Sequence, residues 1–590
     1  MKRSALLLSS LLVLVPAVVH CGGGEERGNA DPDAGDVDGG PEPIVEEDKP
    51  LLPASKVDLL FVVDNSASMG DKQALLATAV SRVIRRLVTP SNEHKPVDLH
   101  LGVISSSLGN QGGDVCPEDS PRTNDRAHLL NKNAEGAVVA GAESGFLSFS
   151  GSGDVAVFEK AASDIIVGVG QSGCGLEAQL EAMYRFVAQP DPPETIRREP
   201  VEYVGVDKEL LAQRKAFFRP DSAVAIVMLT DEDDSQVDPR ANGGKGWHFT
   251  VRNVPLSKVA RGTSAQGTTA ARGTSACATD PASPDCASCA EAATCDASTL
   301  GCQKIKQDVN CTQSAAPGQS GPGYDGYYGP NDDDLNVRFH EMKRRYGVDP
   351  QYPIERYVKA LSSRKVPNRD TEHDAAGNYV HARTCTNPLF AAALPAPDAP
   401  DLCDLPEGDR SFRLVFFQLI GGLPPALAGT SPDWTKILGR DPDAYDDTGI
   451  DPHMIPSVSP RPGLSGGNEA RGDNGTDPVH GREWNTRNKD LQYACTLPLP
   501  EERQCLPYDA CECNDDPTNP ANSPNPPLCK SDGSTTQIRA KAYPTLRPLR
   551  VVKGLGDRAL AASICSVDPT SGYGPLLETL ASKMSGALAK

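Results

Sequence analysis

Apolar positions along the chain fall alternately into short unbroken runs and into stripes of helical period. Leu59 to Val63 is one such run, and it stops at Asp64. Its length and abrupt end predict a buried parallel strand. From Lys72 to Val88, Leu75, Leu76, Ala79, Val80, Val83, Ile84 and Leu87 recur at three- and four-residue spacing, which predicts a helix. Asp98 to Ile104 predicts a second strand, Phe146 to Phe149 a short one, and Val155 to Ile166 a second helix. A third helix follows Gly175, with Leu176, Leu180, Met183, Tyr184 and Val187 on one face. Val224 to Leu229 is the most continuous apolar run of the body and predicts a central strand. The pattern returns as a helix over Pro353 to Lys365 and a strand over Arg413 to Ile420. A short last strand at Leu549 to Val552 and an amphipathic helix from Tyr573 to Leu588 close the chain. This alternation predicts an α/β fold built on a doubly wound, mostly parallel sheet.

Two long stretches interrupt it. Residues 236–350 are rich in Gly, Ser, Thr and Ala and carry Cys277, Cys286, Cys289, Cys295, Cys302 and Cys311. Residues 423–545 are rich in Pro, Gly, Asp and Asn and carry five more cysteines. Strand and helix signals resume after each, so the expectation is one domain over 54–590 with two Cys-rich insertions. Both insertions are too poor in apolar residues for large cores of their own, and disulfides are expected to staple them. Cys286 and Cys289 have metal-site spacing, but no second pair or His pair follows, so disulfides are the preferred reading. The acidic runs Asp233–Asp234 and Asn331–Asp334 read as solvated loops, and His480 as a loop residue.

Composition narrows the class. The chain has 590 residues, a net charge of −21 and a pI near 5.0, which argues against nucleic acid as a partner. With 54 Gly, 51 Pro and only 5% aromatic residues, much of it must be loop. Seventeen cysteines point to disulfides and an oxidising compartment. At the start, Met1-Lys2-Arg3 and the apolar stretch Ala5 to Val19 form a secretory signal over 1–20. The run Val18-Val19-His20-Cys21-Gly22 resembles a bacterial lipoprotein signal, departing from it at His20, and implies lipidation of Cys21. The alternative is plain secretion with Cys21 a free or paired thiol. Residues 21–53 read as a disordered acidic tether. Gly22 supplies no acidic inner-membrane retention cue, so the outer membrane or cell surface is the expected location.

The chemistry lies at the strand ends. Asp64-Asn-Ser66-Ala-Ser68 follows the first strand, and Asp231 follows the central one. Ligands in open α/β sheets sit beyond the carboxyl ends of the strands, and carboxylates with hydroxyls form an oxygen-only set suited to a hard divalent cation. Asp-x-Ser-x-Ser between a strand and a helix resembles the metal-ion-dependent adhesion site of von Willebrand factor A (VWA) domains, which have a Rossmann-like sheet. The resemblance implies Mg²⁺, or another divalent ion such as Mn²⁺ or Ca²⁺, held by Asp64, Ser66, Ser68 and Asp231. The family supplies a Thr from the loop before the third helix. This chain has none there, and Ser172, Glu177 or a water is left to stand in. Cys116 and Cys174 are disulfide candidates that would tie two loops near this site; spacing alone does not fix their pairing.

The resemblance implies a lipid-anchored surface protein that binds an acidic group on a protein or glycan through the metal. The alternative is an envelope-assembly scaffold with no functional metal. No HExxH or GxSxG is present, so an enzyme is not expected.

Overall fold

The first strand, β1 (Lys56–Val63), is buried along nearly its whole length because its alternating side chains enter two separate cores. Val57, Leu59, Phe61 and Val63 face one, and Leu60 and Val62 the other. The computed structural model describes residues 46–116, 120, 123–262, 267–312, 324–375, 377–464, 477–506, 511–513, 526–532, 534–567 and 572–590. The secretory signal, Cys21 and most of the tether lie outside these residues.

Six strands form the main sheet: β1, β2 (Asp98–Ser105), β3 (Leu147–Phe149), β6 (Ala223–Leu229), β9 (Val415–Gly421) and β12 (Ala559–Ser563). Their order is β12-β9-β6-β1-β2-β3. All neighbours are parallel except β3, which runs antiparallel at one edge. The chain therefore builds outward in both directions from the β1–β6 pair. Three antiparallel two-stranded ribbons lie outside this sheet. They are β4–β5 (Thr195–Arg197 with Glu202–Val204), β7–β8 (Lys365–Val366 with Cys385–Thr386) and β10–β11 (Cys495–Gln504 with Thr536–Ala542).

Helices cover both faces. α1 (Gly70–Val88), α2 (Val155–Gly168) and the closing helix Tyr573–Ser585 supply Val80, Ile165 and Leu580 to the core under Leu59 and Phe61. On the opposite face lie α3 (Gln179–Val187), α4 (Lys208–Phe217) and the helices Ile354–Ala360 and Leu546–Leu555. Residues 47–590 form one compact unit. Its last residues return to its first: Ala54 N donates to Ala587 O at 2.9 Å, and Ala589 N to Ala54 O at 2.8 Å.

Three expectations are corrected. Leu549 to Val552 is not a strand but the middle of the helix Leu546–Leu555. Leu549, Val552 and Leu555 are buried at three-residue spacing, and Pro548 sits in the first turn, where a missing N–H is tolerated. The last strand is β12, Ala-Leu-Ala-Ala-Ser, whose small side chains give it no distinct apolar signal. Asp233 and Asp234 are not solvated: Asp233 Oδ1 accepts from Arg547 N at 2.8 Å, and buried Asp234 accepts from Leu180 N at 3.0 Å. Asp333, within the second acidic run, is fully buried against Arg338 at 2.7 Å and Tyr346 Oη at 2.8 Å. Asp233 and Asp234 meet donors far along the sequence, whereas Asp333 is paired by Arg338, five residues on.

The second insertion contributes to the main core, since Cys495 and Leu497 of β10 and Ala540 and Ala542 of β11 join it. Every cysteine from Cys116 onward is paired, in eight disulfides, which is compatible with an extracellular or exported protein. Cys286 and Cys289 bond to Cys277 and Cys311. No helix among the described residues is long and apolar enough to cross a membrane.

Candidate functional site

β1 and β6 are adjacent, parallel and in register, with Val63 opposite Leu229. The residues that follow them emerge side by side at the carboxyl edge of the sheet. Asp64 is pinned there by its N–H, which donates to Leu229 O at 2.9 Å. Its carboxylate is fully buried and well supplied with donors. Oδ1 accepts from Ser66 N at 2.9 Å and from Ser106 Oγ at 3.1 Å, and Oδ2 accepts from Thr230 Oγ1 at 2.8 Å.

Asp231, also fully buried, is held through one oxygen only. Its Oδ2 accepts from Ser68 Oγ and from Lys72 Nζ, each at 2.7 Å. Lys72 lies in the first turn of α1 and also donates to Ser68 O at 2.7 Å. Asp231 Oδ1 and Ser66 Oγ are buried and have no hydrogen-bond partner. Buried oxygens of this kind are costly unless something pairs with them.

A third loop closes the site from the side of β2. Ser107 Oγ donates to Asn65 Oδ1 at 2.8 Å and accepts from Cys174 N at 2.9 Å. Cys174 is disulfide-bonded to Cys116. Gly173 N donates to Asn65 O at 2.8 Å, and a Cβ on Gly173 would lie 2.1 Å from Asn65 Oδ1, so the approach requires glycine. This loop delivers Glu177, only 2% exposed, to the acidic group. Ser172 is exposed, and among the described residues no hydrogen bond joins it to Asp64, Ser66, Ser68 or Asp231.

Ser66, Ser68, Glu177 and Glu232 line a cavity of about 420 Å³. Its far wall is Asp490, Glu512, Lys541 and Tyr543, from the second insertion and β11. Burial, and after it the negative charge collected here, shifts the acids upward. Burial, and then the charge of Asp231, push Asp64 up to about 6 against the hydrogen bonds from Ser66 and Thr230. Burial pushes Glu232 up to about 8; Lys541 opposes the rise, while Asp231, Asp64 and Asp490 add to it. Glu177 is raised well above the carboxylate range by burial and by Glu232, Asp64 and Asp231. Burial disfavours the Lys72 ammonium, yet Asp231 and Asp71 hold its pKa above the ordinary value.

The site is therefore an oxygen-rich, electronegative pocket with two buried oxygens still open. That donor set fits a hard divalent ion: Ser66 Oγ, Ser68 Oγ and Asp231 Oδ1 offer oxygens, with Asp64 behind them. Of the residues expected from the sequence, Asp64, Ser66, Ser68 and Asp231 come together and Ser172 does not join them. Thr230, Ser106, Lys72 and Lys541 were not anticipated. The Ser105-Ser106-Ser107 run at the end of a predicted strand was a readable signal for the second of these. Lys72 was readable too, since the first turn of a helix aims its side chains back toward the preceding strand end. Lys541 has no local signal at all.

No protein-family model matches the chain, and no curated protein matches it. Among solved structures it is similar to proximal thread matrix protein 1 (PTMP1) from the mussel byssus in crystal form 2, at 12% identity and a TM-score of 0.15. That match covers 34% of this chain and 37% of the other.

Proposed function

We propose that the chain is a VWA-like surface protein that binds an acidic partner through a divalent ion at the Asp64–Asp231 rim. The carrying observation is the pair of buried, unpartnered oxygens, Ser66 Oγ and Asp231 Oδ1, in neighbouring loops that follow adjacent parallel strands. Ser66, Ser68 and Asp231 would hold the ion, with Asp64 orienting Ser66 through its backbone N–H. Mg²⁺ is the ion the donor set favours, with Mn²⁺ and Ca²⁺ as rivals. Bound there, the ion supplies an electrophilic position for a carboxylate of a protein or glycan. A cation also lets a chain of net charge −21 meet an acidic surface that would otherwise repel it. Glu177, which lines the same cavity as Ser66 and Ser68, would take the part of the family's Thr in this reading, since Ser172 is exposed. Lipid anchoring at Cys21, with exposure at the outer membrane, completes the proposal as a tethered binding protein rather than an enzyme.

One observation favours a second reading, an assembly scaffold with no functional metal. Lys72 Nζ already places a positive charge on Asp231 Oδ2. Mn²⁺ binding followed by equilibrium dialysis separates the two. The adhesive reading expects about one equivalent in the wild type and a loss of at least tenfold in affinity for Ser66→Ala. It also expects Mg²⁺-dependent, EDTA-reversible retention on a carboxymethyl-dextran surface. Retention that is the same in Mg²⁺, in EDTA and for Ser66→Ala favours the scaffold.

A further inference from the structure

The second insertion brings two histidines onto one carboxylate. His453 belongs to the 3₁₀ turn Pro452–Met454, and His480 to a turn closed by hydrogen bonds between Asp477 and Gly481. Their rings stand edge to face with centres 5.0 Å apart. Asp477 lies between them, with Oδ2 3.0 Å from His453 Nε2 and Oδ1 2.8 Å from His480 Nδ1. The outer nitrogens meet two further carboxylates. His453 Nδ1 is 2.8 Å from Asp451 Oδ1, and His480 Nε2 is 2.6 Å from Glu483 Oε1. Glu483 is in turn clamped by Arg461 Nη2 at 2.7 Å, and His480 and Glu483 are fully buried.

All four ring nitrogens thus face carboxylate oxygens. A neutral imidazole carries one N–H and one lone pair. If the outer nitrogens donate to Asp451 and Glu483, the lone pairs of His453 Nε2 and His480 Nδ1 both point at Asp477, which is repulsive. One metal ion between the two rings and Asp477 turns that repulsion into attraction. Charge points the same way: Asp451, Asp477 and Glu483 against Arg461 leave two negative charges for neutral histidines.

We propose that His453 Nε2, His480 Nδ1 and a carboxylate oxygen of Asp477 form a binding site for a transition-metal ion of the Zn²⁺ class. Two imidazoles and one carboxylate are the nitrogen-and-oxygen set such ions take, with a fourth position left for water. The three ligand atoms all lie within 4.8 Å of one another. A tetrahedral site with bonds of about 2.0–2.1 Å places its ligand atoms roughly 3.3 Å apart, so modest side-chain rotation suffices. Asp451 and Glu483 are the outer partners that fix which nitrogen faces the ion. This site is chemically unlike the oxygen-only rim at Ser66 and Asp231 and does not depend on it. It pins the turn at 452–454 to the turn at 477–481. Arg461 Nη2, donating to Tyr493 O at 2.6 Å, and Thr496 N, donating to Val479 O at 3.1 Å, carry that pin to the start of β10. The ion is a staple for an insertion whose own apolar cluster is small.

The test is zinc content of the full chain by mass spectrometry after chelator dialysis and reloading with Zn²⁺, with Co²⁺ absorption as a second readout. The wild type and Ser66→Ala should each retain one equivalent and give the ligand-field bands of a nitrogen- and oxygen-ligated Co²⁺. His453→Gln, at a side chain that is 12% exposed, should lose it, scored where circular dichroism matches the wild type, and Asp451→Asn should bind roughly 10–100-fold more weakly. His480→Gln is a second ligand variant, scored only if circular dichroism matches the wild type. Absence of zinc in the wild type, or equal retention by His453→Gln, would overturn the site.

Discussion

Lys72 Nζ lies 2.7 Å from Asp231 Oδ2, and both side chains are completely shielded from solvent. This pair holds the first turn of α1 against the end of β6 and fills part of the positive charge that the acidic rim demands. Removing one partner of a buried pair leaves the other uncompensated, at a cost of about 3–5 kcal/mol. Lys72→Met should therefore lose stability of that order in EDTA. Mg²⁺ at millimolar concentration should restore part of it, because a ligand of the native state alone stabilises by mass action. Urea unfolding with and without Mg²⁺ measures both. An equal loss in the two conditions argues against an ion beside Asp231.

Ser66 and Asp64 should separate binding from folding. Ser66 Oγ makes no hydrogen bond, so Ser66→Ala breaks none and should change stability by less than about 1 kcal/mol. Asp64 accepts from Ser66 N, Ser106 and Thr230, and Asp64→Ala leaves all three donors buried without it. A loss of at least about 3 kcal/mol is expected. Both variants should lose Mn²⁺ binding, but only the second should shift the urea midpoint strongly.

The contrast between these residues also shows what the sequence carries and what it does not. The Asp64-Ser66-Ser68 cluster and Asp231 were legible because a strand end is marked locally, by an apolar run that stops. The sheet was legible for a related reason, with β1, β6 and β9 announced by apolar runs and β2 by alternation. Leu549–Val552 misled because Leu549, Val551 and Val552 fit a short strand and a helix equally well, and only burial at three-residue spacing distinguishes them. Glu177 was named only as one alternative to Ser172. That Glu177 is buried beside the rim while Ser172 is exposed depends on the Gly173–Asn65 approach, where two loops meet. Lys541 and Tyr543 reach the cavity from an insertion, and no local pattern says where an insertion returns.

Metal-free protein should lose stability as pH rises through the range from about 4 to about 8. Asp64, Asp234 and Glu232 are raised by burial from ordinary carboxylate values to about 6, 7 and 8. In that window the unfolded chain has released protons that the folded chain still binds, so the slope of unfolding free energy against pH is negative. The stabilisation is complete below the unfolded values and is lost as pH climbs through the folded ones. Mg²⁺, which favours ionised carboxylates, should flatten the decline, and Glu232→Gln should remove its upper part. Urea midpoints across this range in EDTA and in Mg²⁺ provide the measurement, and a rise with pH in EDTA would contradict the assignment.

The disulfide Cys116–Cys174 should matter more to the rim than its energy alone suggests. It joins the loop after β2 to the loop that carries Gly173 and Glu177, across a sequence separation of 58. Replacing both cysteines by Ala should cost about 2–4 kcal/mol, by freeing the unfolded chain. The folded state should change as well, since Cys174 N is the donor to Ser107 Oγ, which positions Asn65 behind Ser66. Loosening that chain of contacts lets Glu177 swing away from Asp64 and Asp231. Mn²⁺ affinity should fall severalfold while the far-ultraviolet circular dichroism is unchanged. Cys385–Cys403, closed over a separation of 18 and not among the residues lining the rim cavity, serves as the control. Its removal should lower stability without altering ion affinity. Equal affinity losses in the two variants would show that the effect is global rather than transmitted through Ser107 and Asn65.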